Sequence, residues 1–257
     1  MRIKDLRALR QRKERERTGL FLAVGTRIVG EALALGAPIE LLVAAPELLR
    51  GQFASGVLDR AGRAGVPTLE LTVAAMASLV ENDGRHGLAA VVRQRWTPLE
   101  SLRPGAEECW VALDAVQYPG NLGAVLRTAE AVGAAGLILL EQTADPHDPA
   151  AVRASMGALF AQRLVRTRFA ELSVWAMRHG AALIGSSPSA GLDYRAATYP
   201  RRLVLLLGGE AHGLSPGQLA ACDRVVRIPM AGRGDSLNLA VAAGLLLYEV
   251  YRRRPSS

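Results

Sequence analysis

Three short segments in the second half of the chain combine glycines and polar residues in ways that packing alone does not require. The first runs Pro119-Gly120-Asn121-Leu122-Gly123-Ala124-Val125-Leu126-Arg127-Thr128-Ala129 and reads as a loop entering a helix. Asn121 is placed to cap that helix. Arg127, four residues after Gly123, projects from its first turns towards whatever the loop faces. An arginine in a helix otherwise made of Ala, Val and Leu is costly to bury without an anionic partner. The second segment, Leu207-Gly208-Gly209-Glu210-Ala211-His212-Gly213-Leu214-Ser215, follows an all-apolar run. Glycines there would let the backbone approach a ligand, and open α/β sheets bind ligands at strand C-termini. A tight turn with a helix cap at Ser215-Pro216 is the plain alternative. In the third, Ile228-Pro229-Met230-Ala231-Gly232-Arg233-Gly234-Asp235-Ser236-Leu237-Asn238, a strand ends at the proline and a glycine-rich loop leads to an apolar helix. Ser236 is placed to cap that helix, and Met230 fits a gap-filling role as well as a ligand contact.

Several chemistries can be set aside. The G-x-G-x-x-G spacing of a dinucleotide site is absent, as is the Gly-Lys-Ser/Thr of a phosphate-binding loop. Gly234-Asp235-Ser236-Leu237 spells an esterase motif, but a serine nucleophile needs a base in reach, and no histidine follows Ser236. The one Asp-x-x-His candidate, Asp83-Gly84-Arg85-His86, precedes it. His147 and Asp148, between two prolines, read as turn residues rather than metal ligands. No metal is expected.

The elements that must position these segments alternate. Strands are expected at 20–24, 39–44, 68–71 and 87–92, with helices over 26–36, 46–64 and 73–81 between them. That pattern implies a compact α/β domain over residues 1–95. Residues 96–106, with Pro98 and Pro104, read as a linker. Strands at 109–113, 137–140, 182–185, 203–207 and 225–228 follow, with helices over 122–134, 170–179 and 238–252. They imply a second α/β domain over 107–257. The all-apolar run Leu203–Leu207 reads as a buried parallel strand.

Composition bounds the class. The chain has 257 residues, of which 50% are hydrophobic and 21% charged, which is globular composition. Two cysteines exclude a disulfide scaffold and a four-cysteine zinc site. No apolar run approaches the roughly 20 residues needed to span a bilayer, and no signal-peptide core follows Met1, so a soluble cytoplasmic protein is expected. The net charge is +7. Residues 1–17 carry eight basic and three acidic side chains, so most of the excess sits in one N-terminal helix or arm. It is either a solvated charged face or an arm for nucleic-acid phosphates.

Taken together, the three segments resemble the signature motifs of the SpoU/TrmH family of RNA ribose 2′-O-methyltransferases, in the knotted SPOUT superfamily. Asn121, Gly123, Arg127, Thr128 and Ala129 match the first motif. Gly208, Glu210, Gly213 and Leu214 match the second, and Ile228 to Asn238 match the third at every specified position. The resemblance covers about residues 107–257. The first domain is similar, less specifically, to the small ribosomal-protein-like RNA-binding domain of many members, through Leu20–Arg27. Two positions depart from the family pattern: Tyr118 stands where an acidic residue is common, and Val24 where a glutamate is usual.

The resemblance implies an α/β fold with a trefoil-knotted C-terminal methyltransferase domain, and S-adenosylmethionine as cofactor. Gly208, Gly209, Gly213, Ile228, Met230 and Leu237 would hold the cofactor among loops at 183–188, 208–213 and 228–238. Arg127 would bind the adjacent phosphate and stabilise the developing alkoxide, since a guanidinium stays protonated and makes a poor base. Asn121, Glu210, Ser236 and Asn238 would position Arg127 and the target ribose. Arg2, Arg7, Arg10 and Arg27 are expected to contact RNA, and DNA, lacking the acceptor hydroxyl, is excluded as substrate. Structured RNA is implied, large-subunit ribosomal RNA in the first place, with transfer RNA or a catalytically silent RNA-binding role as alternatives. Family members are homodimers, and the apolar helix 239–248 is expected to pack between two copies.

Overall fold

The computed structural model describes residues 1–80, 86–141 and 143–254. Asp83, Gly84 and Arg85, weighed above, lie outside the described residues, as does position 81 at the end of one expected helix. Contacts divide the chain into two compact units. The first joins Met1–Arg95 to Asp145–Ala161, and the second joins Trp96–Ala144 to the chain from Gln162 onward.

The first unit opens with α1 (Ile3–Ala8) and α2 (Arg12–Thr18). Then come β1 (Leu20–Val24), α3 (Thr26–Ala34), β2 (Ile39–Ala44), α4 (Gln52–Arg63), β3 (Thr68–Glu70), α5 (Val73–Leu79) and β4 (Leu88–Arg93). The sheet order is β1-β4-β2-β3, antiparallel except for the β2–β3 pair. The helix expected over 46–64 begins only after Gly51, whose φ of 83° is the left-handed conformation that glycine tolerates.

The N-terminal basic segment corrects the expectation of a single helix or arm. Leu6 and Leu9 are buried in one core with Leu22, Val43 and Met76. Arg15 is 1% exposed. Its Nε donates to Asp145 at 2.7 Å, one terminal nitrogen donates to Asp148 at 3.3 Å, and the other donates to the carbonyls of Leu9 and Arg10. Burial alone would push the Asp145 carboxyl up, but the bonds it accepts from His147 and Arg15 outweigh it and hold the group far below the usual carboxylate range. His147 packs on Phe21, ring centroids 4.6 Å apart. The segment is thus a folded part of its unit.

The second unit contains β5 (Cys109–Asp114), α6 (Pro119–Ala131) and β6 (Gly136–Leu140). The chain then contributes α7 (Pro149–Ser155) to the first unit. It returns through β7 (Arg163–Thr167), α8 (Phe169–His179), β8 (Ala182–Ser186), β9 (Leu192–Asp193), β10 (Leu203–Leu207), α9 (Pro216–Ala221), β11 (Arg224–Arg227) and α10 (Leu239–Arg252). The seven strands are all parallel, in the order β7-β6-β5-β10-β8-β11-β9. Every residue of β6 and β10 is buried, as a parallel strand covered on both faces requires.

Three features differ from the sequence reading. Residues 96–106 are not a free linker, because Leu99 and Leu102 are buried in the core around Trp110 and Trp175. Strand β7 escaped the pattern because arginines interrupt it. It is an edge strand whose Arg163 bonds Glu108 at 2.8 Å and lies over the Trp110 ring. Helix α6 begins at Pro119 rather than 122, since a proline suits a first helical turn that has no use for its missing N–H. Among the described residues no helix is long and apolar enough to cross a membrane.

Candidate active site

Loops leaving the C-terminal ends of β8, β10 and β11 surround a cavity of about 520 Å³. It falls within the ~300–1,000 Å³ of small-molecule sites and lies where parallel sheets bind ligands. Gly208, Gly209, Gly213, Ile228, Met230 and Leu237, the six residues expected to hold a cofactor, all line it. Ser186–Ser189, His212 and Asp235 line it too. The glycines serve the chain's own packing as much as any ligand. A Cβ on Gly208 would overlap the backbone of Gly213, and one on Gly209 would overlap the carbonyl of Ala115. Gly213 has a φ of 61° and donates its N–H back to Gly209 at 3.0 Å, closing the turn.

Beside this cavity the three motifs meet in one hydrogen-bonded chain. Asn238, first residue before α10, accepts the N–H groups of Ala240 and Val241 with its side-chain oxygen. Its amide nitrogen donates to Asn121 Oδ1 at 3.1 Å. Asn121 Nδ2 donates to Glu210 Oε1 at 2.8 Å, and Glu210 Oε2 accepts the N–H of Gln117 at 3.1 Å. Desolvation acts against the Glu210 carboxylate, but the bonds from Asn121 and from nearby backbone N–H groups, Gln117 and Tyr118 among them, hold it below the ordinary glutamate range. At neutral pH Glu210 is therefore an ionised acceptor that orients others, not an acid with a proton to give.

Two local roles weighed from sequence are corrected. Asn121 is the third residue of α6 and Tyr118 precedes the helix, so Asn121 is no cap. The cap of α10 is Asn238 and not Ser236. Ser236 lines the cavity and donates to Asp235 at 3.2 Å. Arg127 is not brought into this chain of contacts. It is exposed on α6, with no hydrogen bond or ion pair among the described residues, which leaves its guanidinium available to an anion from solvent. Of the residues expected to touch RNA, Arg2, Arg7 and Arg27 are exposed, while Arg10 is half-buried and donates to the Leu79 carbonyl at 3.0 Å. The backbone donors of Gln117 and Tyr118 carry no side-chain signature, so sequence reasoning missed them.

The donor set fits an uncharged or cationic small molecule: backbone groups at glycines, apolar Ile228, Met230 and Leu237, and the carboxylate of Asp235. No three His, Cys, Asp or Glu side chains come together as a metal site among the described residues.

The model of the SpoU rRNA Methylase family matches residues 108–248, and that of an MRM3-like substrate binding domain matches residues 1–90. The chain is 34% identical to the 23S rRNA (uridine(2479)-2′-O)-methyltransferase of Streptomyces viridochromogenes, over 96% of this chain and 88% of that protein. It is 29% identical to the 23S rRNA (guanosine(2553)-2′-O)-methyltransferase RlmP of Bacillus subtilis, over 96% and 95%. The AdoMet-bound rRNA methyltransferase of Sinorhizobium meliloti superposes with a TM-score of 0.90 at 36% identity, covering 99% of this chain and 95% of that one.

Proposed function

The chain belongs to the SpoU rRNA methylase family, and from that premise we propose that it transfers a methyl group from S-adenosylmethionine to a ribose 2′-hydroxyl of large-subunit ribosomal RNA. One observation carries the reading: Asn121, Glu210 and Asn238, one from each motif, are bonded in series beside a cavity that the motif glycines line. S-adenosylmethionine, when bound, supplies an electrophilic methyl group and needs no metal. The cavity's glycine backbone, with Ile228, Met230 and Leu237, would hold it. The Asn238–Asn121–Glu210 series, with Asn121 in the middle, fixes the start of α6, and hence the helix that carries Arg127. Arg127 offers its guanidinium to the phosphate next to the target ribose and to the negative charge that builds on the ribose oxygen as its proton passes to water. Ser236 borders the same space. DNA offers no acceptor hydroxyl.

The finer parts of the reading have their own support. Arg2, Arg7, Arg10 and Arg27 carry the RNA backbone, in keeping with the positive charge concentrated at the N-terminus. Two copies of the chain pair through α10, where Val241, Leu245 and Tyr248 form an apolar stripe, 52%, 38% and 54% exposed, at helical spacing. The trefoil crossing belongs to the same reading, as does a cytoplasmic location beside ribosomes.

The decisive experiment maps 2′-O-methyl positions in total RNA from cells with and without the gene. A mark lost from 23S ribosomal RNA is expected. A mark lost from transfer RNA would move the substrate, and no lost mark would leave an RNA-binding protein without catalysis.

A further inference from the structure

The first unit has a cavity of its own, about 570 Å³, that the reading above does not use. Buried Leu22, Ile28, Leu79 and Val152 make its floor apolar. Arg27 and Arg153 stand at its rim, both exposed and both without a hydrogen bond or ion pair among the described residues. The carboxylate among its lining residues, Asp148, is already engaged, one oxygen by Arg15 and the other by the N–H of Ala150. The two rim arginines therefore keep their charge uncompensated. Helix α3, nine residues long, starts at the same rim, where Gly25 at a φ of 111° turns the chain into Thr26 and Arg27. Its first-turn N–H groups and its dipole add to the pull on an anion.

A flat apolar body carrying an oxyanion matches such a cavity, and an unstacked nucleotide is that combination. Proteins that read RNA bind such splayed-out nucleotides, against apolar or aromatic surface and arginine. We propose that this cavity receives one unstacked nucleotide of the RNA substrate. Its phosphate lies on Arg27, Arg153 and the start of α3, and its base lies against Ile28 and Val152. The inference rests on the RNA-methylating reading and adds a contact to it. It also accounts for α7, whose Val152 and Arg153 fall within the span matched by the methylase family yet serve the unit that grips substrate.

The test uses the full chain and a 23S ribosomal RNA transcript, with affinity measured across a salt series. Arg153→Glu should weaken binding at least tenfold and flatten the log–log salt slope by about one. Ala150→Trp, which fills the cavity without changing charge, should weaken binding several-fold and leave the slope alone. Ultraviolet cross-links should fall in peptides holding Thr26–Ile28 and Ala150–Arg153. Both variants should keep the melting profile of the unaltered chain, which shows that the first unit folds, and the same calorimetric binding of S-adenosylmethionine, which shows that the second does. If the unaltered chain binds and methylates the transcript while both variants match it within twofold, the cavity assignment is wrong and the methyltransferase reading stands. Adenosine monophosphate binding at micromolar concentration, undisplaced by the transcript, would make this a free-nucleotide site and overturn the assignment too. Absence of RNA binding by the unaltered chain overturns both readings.

Discussion

Replacing Glu210 by glutamine removes one charge and almost no volume, yet the hydrogen-bond directions beside the cavity leave it nowhere to go. Asn238 commits its oxygen to the first turn of α10, so it must present its amide nitrogen to Asn121. Asn121 then accepts with its oxygen and donates with its nitrogen, and residue 210 must accept from both Asn121 and the Gln117 N–H. A carboxylate has two acceptor oxygens, whereas an amide has one and turns an NH₂ on the remaining donor. Each bond to a charged acceptor contributes ~1.5–3 kcal/mol, and a stranded donor costs ~1–3 kcal/mol. Because Glu210 is only partly buried, water takes over some of this, so a loss of about 2 kcal/mol is expected in Glu210→Gln. For a protein of this size that is a fall of roughly 4–8 °C in Tm. The sign with pH follows from the depressed carboxyl. The advantage of the unaltered chain is fully present above the ordinary glutamate value of 4.5 and fades as pH falls through the lower folded-state value. Calorimetric melting of both proteins from pH 3 to 8 measures it. A variant within about 0.5 kcal/mol at pH 7, the scatter of neutral surface changes, would refute the directional network.

Other outcomes follow from the same geometry. Arg127→Ala should cut methyl transfer more than tenfold, about 1.4 kcal/mol of barrier, with cofactor affinity and melting temperature unchanged, since the side chain makes no hydrogen bond or ion pair among the described residues; retained activity would make it a bystander. Arg15→Met leaves Asp145 buried without its guanidinium and should cost ~3–5 kcal/mol in urea unfolding. Gly209→Ala puts a methyl on the Ala115 carbonyl, so calorimetry should find S-adenosylmethionine binding lost or weakened at least tenfold. Leu245→Arg places a charge in the apolar stripe of α10 and should leave a 27.3 kDa species in sedimentation; an unchanged dimer would put the interface elsewhere.

What the sequence displayed about the site was its local chemistry. Glu210 and Asn238 announce themselves because each sits near a strand end or helix start with a residue type that cores avoid, and Gly208 because it breaks off an all-apolar strand. The direction of their hydrogen bonds was hidden, because it depends on backbone donors at Gln117 and Tyr118 that any residue could supply. Apolar runs such as Leu203–Leu207 showed the buried strands, while β7 was masked by arginines that stay at the surface, Arg163 over Trp110 and beside Glu108. Arg15 looked like its seven basic neighbours. Only the distant carboxylates of Asp145 and Asp148, more than a hundred residues along the chain, distinguish it, and no local pattern carries that pairing.

The segment Asp145–Ala161 also bears on how such a protein can be rearranged. It is encoded in the middle of the methyltransferase half and folds with the other half. A gene cut at the proline-containing stretch near residue 98 would look like a clean exchange of modules. The fragment carrying residues 1–95 would nevertheless lack Asp145 and Asp148, the counter-charges of Arg15, and the far wall of its own cavity. Exchanging this head between relatives therefore requires two transplants, the N-terminal piece and the α7 excursion, taken from the same parent.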